Sequence, residues 1–367
     1  MGKYAWKGAM ALLLLLVAVA VTGCGPQLAD GGWSALNADS SSVYVGLNTG
    51  KMTALAADNA QVRWTFPAGN DRLANFYNAP ALSQNLLIFG ASDSTGRINK
   101  VYGLDPATGQ QRWEFDGVKD TVVGNPLLDN GTVYVTSADH NVYALDTQNG
   151  QPRWTFTTEN WVWSGVVRDG DRLFFGGMDK SIYALTTGGQ QVWRFQTQGA
   201  VPGTPAVAGG MVYAGDLSST LYALNEQTGQ QVWQFKASNW FWGQPAVVNG
   251  IVYAPSLDNR LYALDAKTGA KVTSFANQGV FTAQGALRAD VVYADGTLYV
   301  GSEDQKLYAL DATTGAPRWT YDAGGPILST PIIVNGTLYG STSNGKAFAL
   351  DAKTGNQRWV YPQPANK

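Results

Sequence analysis

A single cysteine and a single histidine are all that 367 residues offer of the side chains that hold most transition metals. Cys24 has no partner for an internal disulfide, and Cys24 with His140 cannot assemble an ordinary zinc or copper site. No Ser/His pair can be placed as nucleophile and base. Charge is sparse too. Acidic and basic residues make up 14% of the chain and leave a net charge of −2, and setting aside the segment with Lys3 and Lys7 makes the balance more acidic. Proteins that bind nucleic acid present a basic face, so that class is excluded. Helical spacing of apolar residues is missing from residue 33 onward, and the one long apolar run, residues 9–21, is too short to span a bilayer comfortably. What is present is 43 glycines and 45% hydrophobic residues, enough for a large core.

The apolar run has the flanks of an export signal. Lys3 and Lys7 precede it, and small residues follow it in the order Val21, Thr22, Gly23, Cys24. That order resembles a bacterial lipobox, and the resemblance implies cleavage before Cys24 and diacylation of its thiol. Residues 1–23 are read as a lipoprotein signal peptide and 24–32 as a lipidated tether. An extracytoplasmic protein held to a membrane through Cys24 is expected. Gly25 is not the Asp of an inner-membrane retention signal, so the outer membrane, facing the periplasm, is expected where the host has one, and the cell surface otherwise. Trp6 stands where N-myristoylation of Gly2 needs Ser or Thr, which rejects that modification.

From residue 33 the chain repeats itself, and this is its strongest pattern. VYGLDPATGQQRW ends at Trp113, VYALDTQNGQPRW at Trp154, LYALNEQTGQQVW at Trp233, LYALDATTGAPRW at Trp319 and AFALDAKTGNQRW at Trp359. Weaker copies end at Trp64 and Trp193, and in LYALDAKTGAKVT Thr273 replaces the tryptophan, so there are eight copies. Each reads as four short strands, as in TPAVAGG, MVYAGD, LYALN and QVWQF from Thr204 onward. Four antiparallel strands repeated eight times at intervals of about 40 residues predict an all-β, eight-bladed β-propeller over 33–362, with 363–367 as a tail. Asp and Gly of the shared phrase make the turn between third and fourth strands: Asp accepts backbone hydrogen bonds and Gly supplies a positive φ. Trp64, Trp113, Trp154, Trp193, Trp233, Trp319 and Trp359 are expected to dock between blades, each filling a wedge and bonding a neighbouring carbonyl through its one N–H.

The phrase ALDAKTGNQRW at 349–359 is similar to the tryptophan-docking motif of the pyrroloquinoline quinone (PQQ)-like β-propeller repeat family. The resemblance covers essentially everything from Trp33 to Tyr361. That family holds eight-bladed quinoprotein dehydrogenases and non-enzymatic lipoproteins, among them the propeller subunit of the outer-membrane β-barrel assembly machinery. Length, lipobox and single-domain layout are similar to the second group. The dehydrogenases imply a vicinal disulfide over the cofactor, Ca²⁺ held by Glu, Asn and Asp, and an Asp base; one cysteine excludes that disulfide. Asp105, Asp146, Asp265, Asp311 and Asp351 have a sufficient role in the turns, so no catalytic residue is assigned. Asp139, Asp179, Asp258 and Asp304 recur in the turn between second and third strands, beside His140, where turn chemistry is preferred to Ca²⁺ binding.

Two stretches put tryptophan where a small turn residue would serve: ENWVWSG at 159–165 and SNWFWGQP at 238–245. Both lie between the fourth strand of one repeat and the first of the next, and so cross toward the axis. Aligned crossings set Phe76, Tyr77, Trp161, Trp163, Trp240, Phe241, Trp242 and Phe281 around one funnel, completed by Val122, Val123, Val201, Pro202, Ile327 and Leu328. Two readings stand for this ring: the aromatics plug the wide centre of an eight-bladed propeller, or part of the ring stays exposed and binds a partner, since Trp and Tyr dominate binding hot spots. On the second, the eight aromatics are the candidate partner-binding residues. At least one of Trp240, Phe241 and Trp242 is expected to face solvent. The seventh repeat reads as about half a dozen residues longer between its first two strands, and the tryptophan missing at Thr273 predicts weaker packing nearby. Closure is expected to bring residues 33–36 beside the last blade. The resulting reading is a monomeric scaffold that binds an envelope protein or peptide, in outer-membrane protein assembly or envelope maintenance, with no cofactor or metal. The alternatives are a PQQ- and Ca²⁺-dependent alcohol or sugar dehydrogenase and a saccharide-binding propeller.

Overall fold

The computed structural model describes residues 35–73, 76–92, 97 and 99–362; Cys24, Trp33 and the expected signal, tether and tail lie outside the described residues. Eight four-stranded antiparallel sheets form an eight-bladed β-propeller, and the described residues contain no helix. The blades span 36–66, 81–115, 127–157, 167–196, 206–236, 246–282, 292–322 and 332–361. In each sheet consecutive strands run outward from the axis.

Blade 5 shows why these residues make these strands. Its second and third strands, Met211–Gly215 and Thr220–Asn225, are largely buried, because a neighbouring blade covers each face. They read MVYAG and TLYALN, apolar with little alternation, as two-sided burial requires. The outer strand Gln231–Lys236 reads QVWQFK and buries only Trp233 fully. Its preceding turn needs Gly229 at a φ of 72°, a left-handed conformation that side chains resist.

The core lies between blades. Eight buried clusters each join two successive blades, from Tyr44, Phe76 and Phe89 between blades 1 and 2 round to Leu36, Val45, Tyr339 and Trp359 between blades 8 and 1. A ninth, containing Tyr77, Val123, Ala138, Trp163 and Trp242, sits at the axis.

One indole contact recurs seven times among the described residues. Nε1 of Trp64, Trp113, Trp154, Trp193, Trp233, Trp319 and Trp359 donates to the carbonyl of Pro106, Thr147, Thr187, Glu226, Ala266, Ala352 and Ala57, at 2.9–3.1 Å, always in the next blade. Six of the rings rest on the next blade's turn glycine, and Trp359 docks on blade 1, where Ala60 stands in that turn. A methyl added to Gly109, Gly150, Gly189, Gly229, Gly269 or Gly355 would come within 2.6–2.7 Å of the indole. The repeated Gly therefore serves the turn and the neighbouring tryptophan at once.

Two local expectations change. The extra length belongs to blade 6 and not to blade 7. The first two strands of blade 7, Val292–Ala294 and Thr297–Gly301, are joined by Asp295 and Gly296. In blade 6, residues 266–279 separate the third strand Arg260–Asp265 from a short outer strand, Val280–Thr282. Thr273 removes the tryptophan that marks an outer strand, so the insertion is hidden in the sequence. Packing there is filled: Phe275 is fully buried, 5.4 Å from the Tyr253 ring, and lies against Gly315 of blade 7. At the chain ends, Leu36–Ala38 pairs with Ser42–Leu47 inside blade 1 and packs side-on against blade 8. The ring closes without strand exchange, through Trp359 Nε1 and the Tyr339 hydroxyl, which both donate to the Ala57 carbonyl, at 2.9 and 3.4 Å.

Candidate functional site

Each crossing from an outer strand to the next inner strand passes one mouth of the axis, on the face that also holds the turns between second and third strands. Backbone bonds tie crossing to turn. The N–H groups of Ala138, Met178, Leu217, Leu257, Glu303 and Ser343 donate to the carbonyls of Thr121, Trp161, Ala200, Trp240, Ala286 and Pro326, at 2.8–2.9 Å. This pairing sets the register of each crossing, and so which way the next two side chains turn.

The first of those two turns back between blades. Phe76, Val122, Val201, Phe241 and Ile327 lie on Gly46, Gly90, Gly176, Gly215 and Gly301 of the preceding blade, where an added methyl would approach to 2.1–2.5 Å. Phe76 and Phe241 are thus inter-blade plugs, 1% and 2% exposed. The second turns to the axis. Tyr77, Val123, Trp163, Pro202, Trp242, Arg288 and Leu328 border one small cavity of about 70 Å³ shared by all eight blades.

Aromatic rings gather on one side of this mouth. Trp161 lies flat on Trp163, with centroids 5.4 Å apart and planes 11° apart, and Trp163 meets Trp242 at 6.0 Å. Trp163 and Trp242 are buried, Trp240 is half-buried, and Trp161 is 41% exposed. The duplicated Asn-Trp-x-Trp sequence builds this arc: the Asn160 and Asn239 side chains accept from the N–H of Trp161 and Trp240, each at 2.8 Å. Between them the crossing into blade 5 carries Ala200, Val201 and Pro202 in place of aromatics, and Leu217 of that blade packs against the Trp163 and Trp242 cluster. The Arg288 guanidinium sits 4.5 Å from the Trp242 ring centroid, and its Nε donates to Glu303 at 3.1 Å. Asp290 joins three blades, accepting from Gln244 N–H and the Thr330 hydroxyl, both at 2.7 Å. Burial raises its pKa, against the pull of those two hydrogen bonds. The buried Trp163 Nε1 has no acceptor among the described residues.

With this architecture in place, the likeness to known proteins becomes specific. The family model described as outer membrane protein assembly factor BamB matches residues 19–116, 94–166, 178–279 and 274–367. The chain belongs to this family. Among solved structures, the crystal structure of BamB from Moraxella catarrhalis is similar with a TM-score of 0.70 at 18% identity, covering 86% of this chain and 95% of that one. The computationally designed Ika8 protein is similar with a TM-score of 0.74 at 16% identity, covering 88% and 97%. At these identities the likeness shows the fold alone, and a propeller fold does not by itself name a partner. No curated protein matches.

Phe281 is not at the mouth. It lies in the outer strand of blade 6, opposite Leu261, and meets Tyr308 of blade 7 edge-on at 5.2 Å. Phe115, Phe156, Phe195 and Phe235 hold the same inter-blade position against Tyr143, Tyr183, Tyr222 and Tyr262. The hidden insertion causes the misplacement, since it shifts the apparent crossing by a whole strand. For the same reason sequence reasoning misses Arg288 and Asp290, which occupy the crossing that Phe281 was expected to fill.

Both sets of turn aspartates hold backbone. Oδ2 of Asp139, Asp179, Asp216, Asp258 and Asp304 accepts from the hydroxyls of Tyr143, Tyr183, Tyr222, Tyr262 and Tyr308 at 2.6–3.1 Å. The same oxygens accept from crossing N–H groups at Lys119, Glu159, Gly199, Ser238 and Gln284, at 2.7–3.2 Å. Burial, and then the Asp258 bond, push the Tyr262 phenol up to about 12. In the other set, Asp105, Asp146, Asp311 and Asp351 pair with Arg112, Arg153, Arg318 and Arg358 at 2.6–2.9 Å. Arg318 and Arg358 first, then turn N–H groups, hold Asp311 and Asp351 down at about 2.

Proposed function

We propose that this protein is a lipid-anchored, extracytoplasmic, monomeric propeller that serves as a protein-binding scaffold in outer-membrane protein assembly or envelope maintenance. Its partner docks at the axial mouth that carries Trp161, Trp163, Trp240 and Trp242. The observation behind this reading is the tryptophan arc: two rings stacked at 11°, the outer one 41% exposed. Rigid aromatic area of this kind costs little entropy to order and concentrates binding energy. Membership of a family described as an outer membrane protein assembly factor supports the envelope role. Cys24 is the anchor, so Cys24→Ser should release the protein from membranes into the soluble fraction.

The test is affinity capture from solubilised envelopes with wild-type protein and with a Trp161→Ala, Trp240→Ala double variant. Both substitutions lie on the lip, so the fold should persist, and the partners captured by wild type should be lost. An unchanged set of partners removes the arc from the account. A PQQ-bound absorption spectrum with dye-reducing turnover, after incubation with PQQ and Ca²⁺, would replace the scaffold with a dehydrogenase.

A further inference from the structure

We propose that the axial mouth captures the C-terminal carboxylate of a peptide ending on an apolar residue, with Arg288 as the recognising cation. This rests on the scaffold reading above and names the chemistry of its partner. Among the residues that turn to the axis, Tyr77, Val123, Trp163, Pro202, Trp242 and Leu328 are uncharged, and Arg288 alone carries charge. Its guanidinium is fixed on two sides, by the Trp242 ring at 4.5 Å and by Glu303 at Nε, 3.1 Å away. The two terminal nitrogens have no partner among the described residues. A fork held this way on an aromatic face is oriented before any ligand arrives, and a carboxylate matches it with two parallel acceptors.

One further observation points the same way. The cavity holds only about 70 Å³, room for the end of a chain and not for a strand passing through. The acidic neighbours are already engaged: Asp290 through both oxygens with Gln244 and Thr330, and Glu303 with the Nε edge of Arg288. An apolar last side chain would lie against the aliphatic and aromatic part of the ring, while the residues before it leave over the exposed ring of Trp161.

The probe is N-acetyl-Gly-Ser-Gly-Ser-Leu-Phe, as free acid and as C-terminal amide, titrated into purified protein and followed by tryptophan fluorescence. The acid should bind about tenfold or more tighter than the amide, the size expected of a charge-assisted bidentate pair. Arg288→Gln should abolish that difference and Arg288→Lys should restore part of it, with thermal midpoints recorded to exclude misfolding. Equal affinity for acid and amide, hexanoate binding as tightly as the acid peptide, or an unaltered preference in Arg288→Gln would each overturn the assignment. Failure of both peptides to bind would also end it. Continued capture of envelope proteins by wild type, lost in the Trp161→Ala, Trp240→Ala variant, would in that case leave the scaffold reading standing.

Discussion

Trp233 and Gly269 stand 36 positions apart in the chain and occupy a single contact, the indole of one blade lying on the turn of the next. Trp233 also gives its N–H to Ala266 at 2.9 Å, a carbonyl that the Tyr213 hydroxyl approaches at 3.1 Å. Trp233→Ala should lower stability by about 3–5 kcal/mol in urea denaturation, as for other large buried aromatics. Gly269→Ala should cost about 2–4 kcal/mol, because it combines a left-handed φ with a methyl driven into the indole. The double variant should cost clearly less than the two together, since the truncated Trp233 leaves that methyl room. Strict additivity would show that glycine is needed only for the turn. The Asp, Gly and Trp of this contact are legible from the repeat alone; that one residue of the phrase serves the next blade's phrase is not, because it depends on the rotation between sheets.

Hairpins are the elements on which the ring is assembled, and their aspartates tie stability to pH. A carboxyl held below its unfolded value stabilises the fold above about pH 4, and that contribution is lost as pH falls toward 2. Asp311 and Asp351, at about 2, should make the denaturation midpoint fall over that window. Asp311→Asn and Asp351→Asn together should flatten the curve there and leave the neutral-pH slope with denaturant unchanged. Blade 6 offers a different test of an element. Phe275, carried by the long connection between third and outer strands, fills the place of the missing tryptophan, while the Tyr253 hydroxyl bonds Ala312 at 2.5 Å. Phe275→Ala should therefore destabilise by about 3–5 kcal/mol, like loss of a docking indole. A loss below 1 kcal/mol would mark the connection as peripheral. The four-strand grammar is readable for seven blades from the outer-strand Trp, with the turn Asp and Gly where they occur. It fails in the sixth, where Thr273 erases the landmark and pushes Phe281 into the wrong class of position.

On the scale of the whole molecule, the seam between blades 8 and 1 is the one place where the ends of the chain must find each other. It is sealed by side chains: Leu36, Val43 and Val45 of the first blade against Tyr339, Ala347 and Trp359 of the last. Trp359→Ala should open the ring from that seam, so hydrogen exchange should accelerate first in the strands of blades 1 and 8, with blades 3 to 5 protected longest. Uniform acceleration around the ring would mean that the propeller unfolds as one unit. The sequence by itself determined the number of blades, their four-strand make-up, the tryptophan wedges and the polar turns, because each is a local pattern of period two or a fixed offset within one repeat. Only the tertiary structure decided which aromatics share the axis. A crossing offers two successive side chains, one turned between blades and one turned inward, and the choice is made by backbone bonds from a distant turn and by a glycine on the preceding sheet. That is why Phe241 is sealed away while Trp242 reaches the mouth, and why Arg288 comes to lie on it.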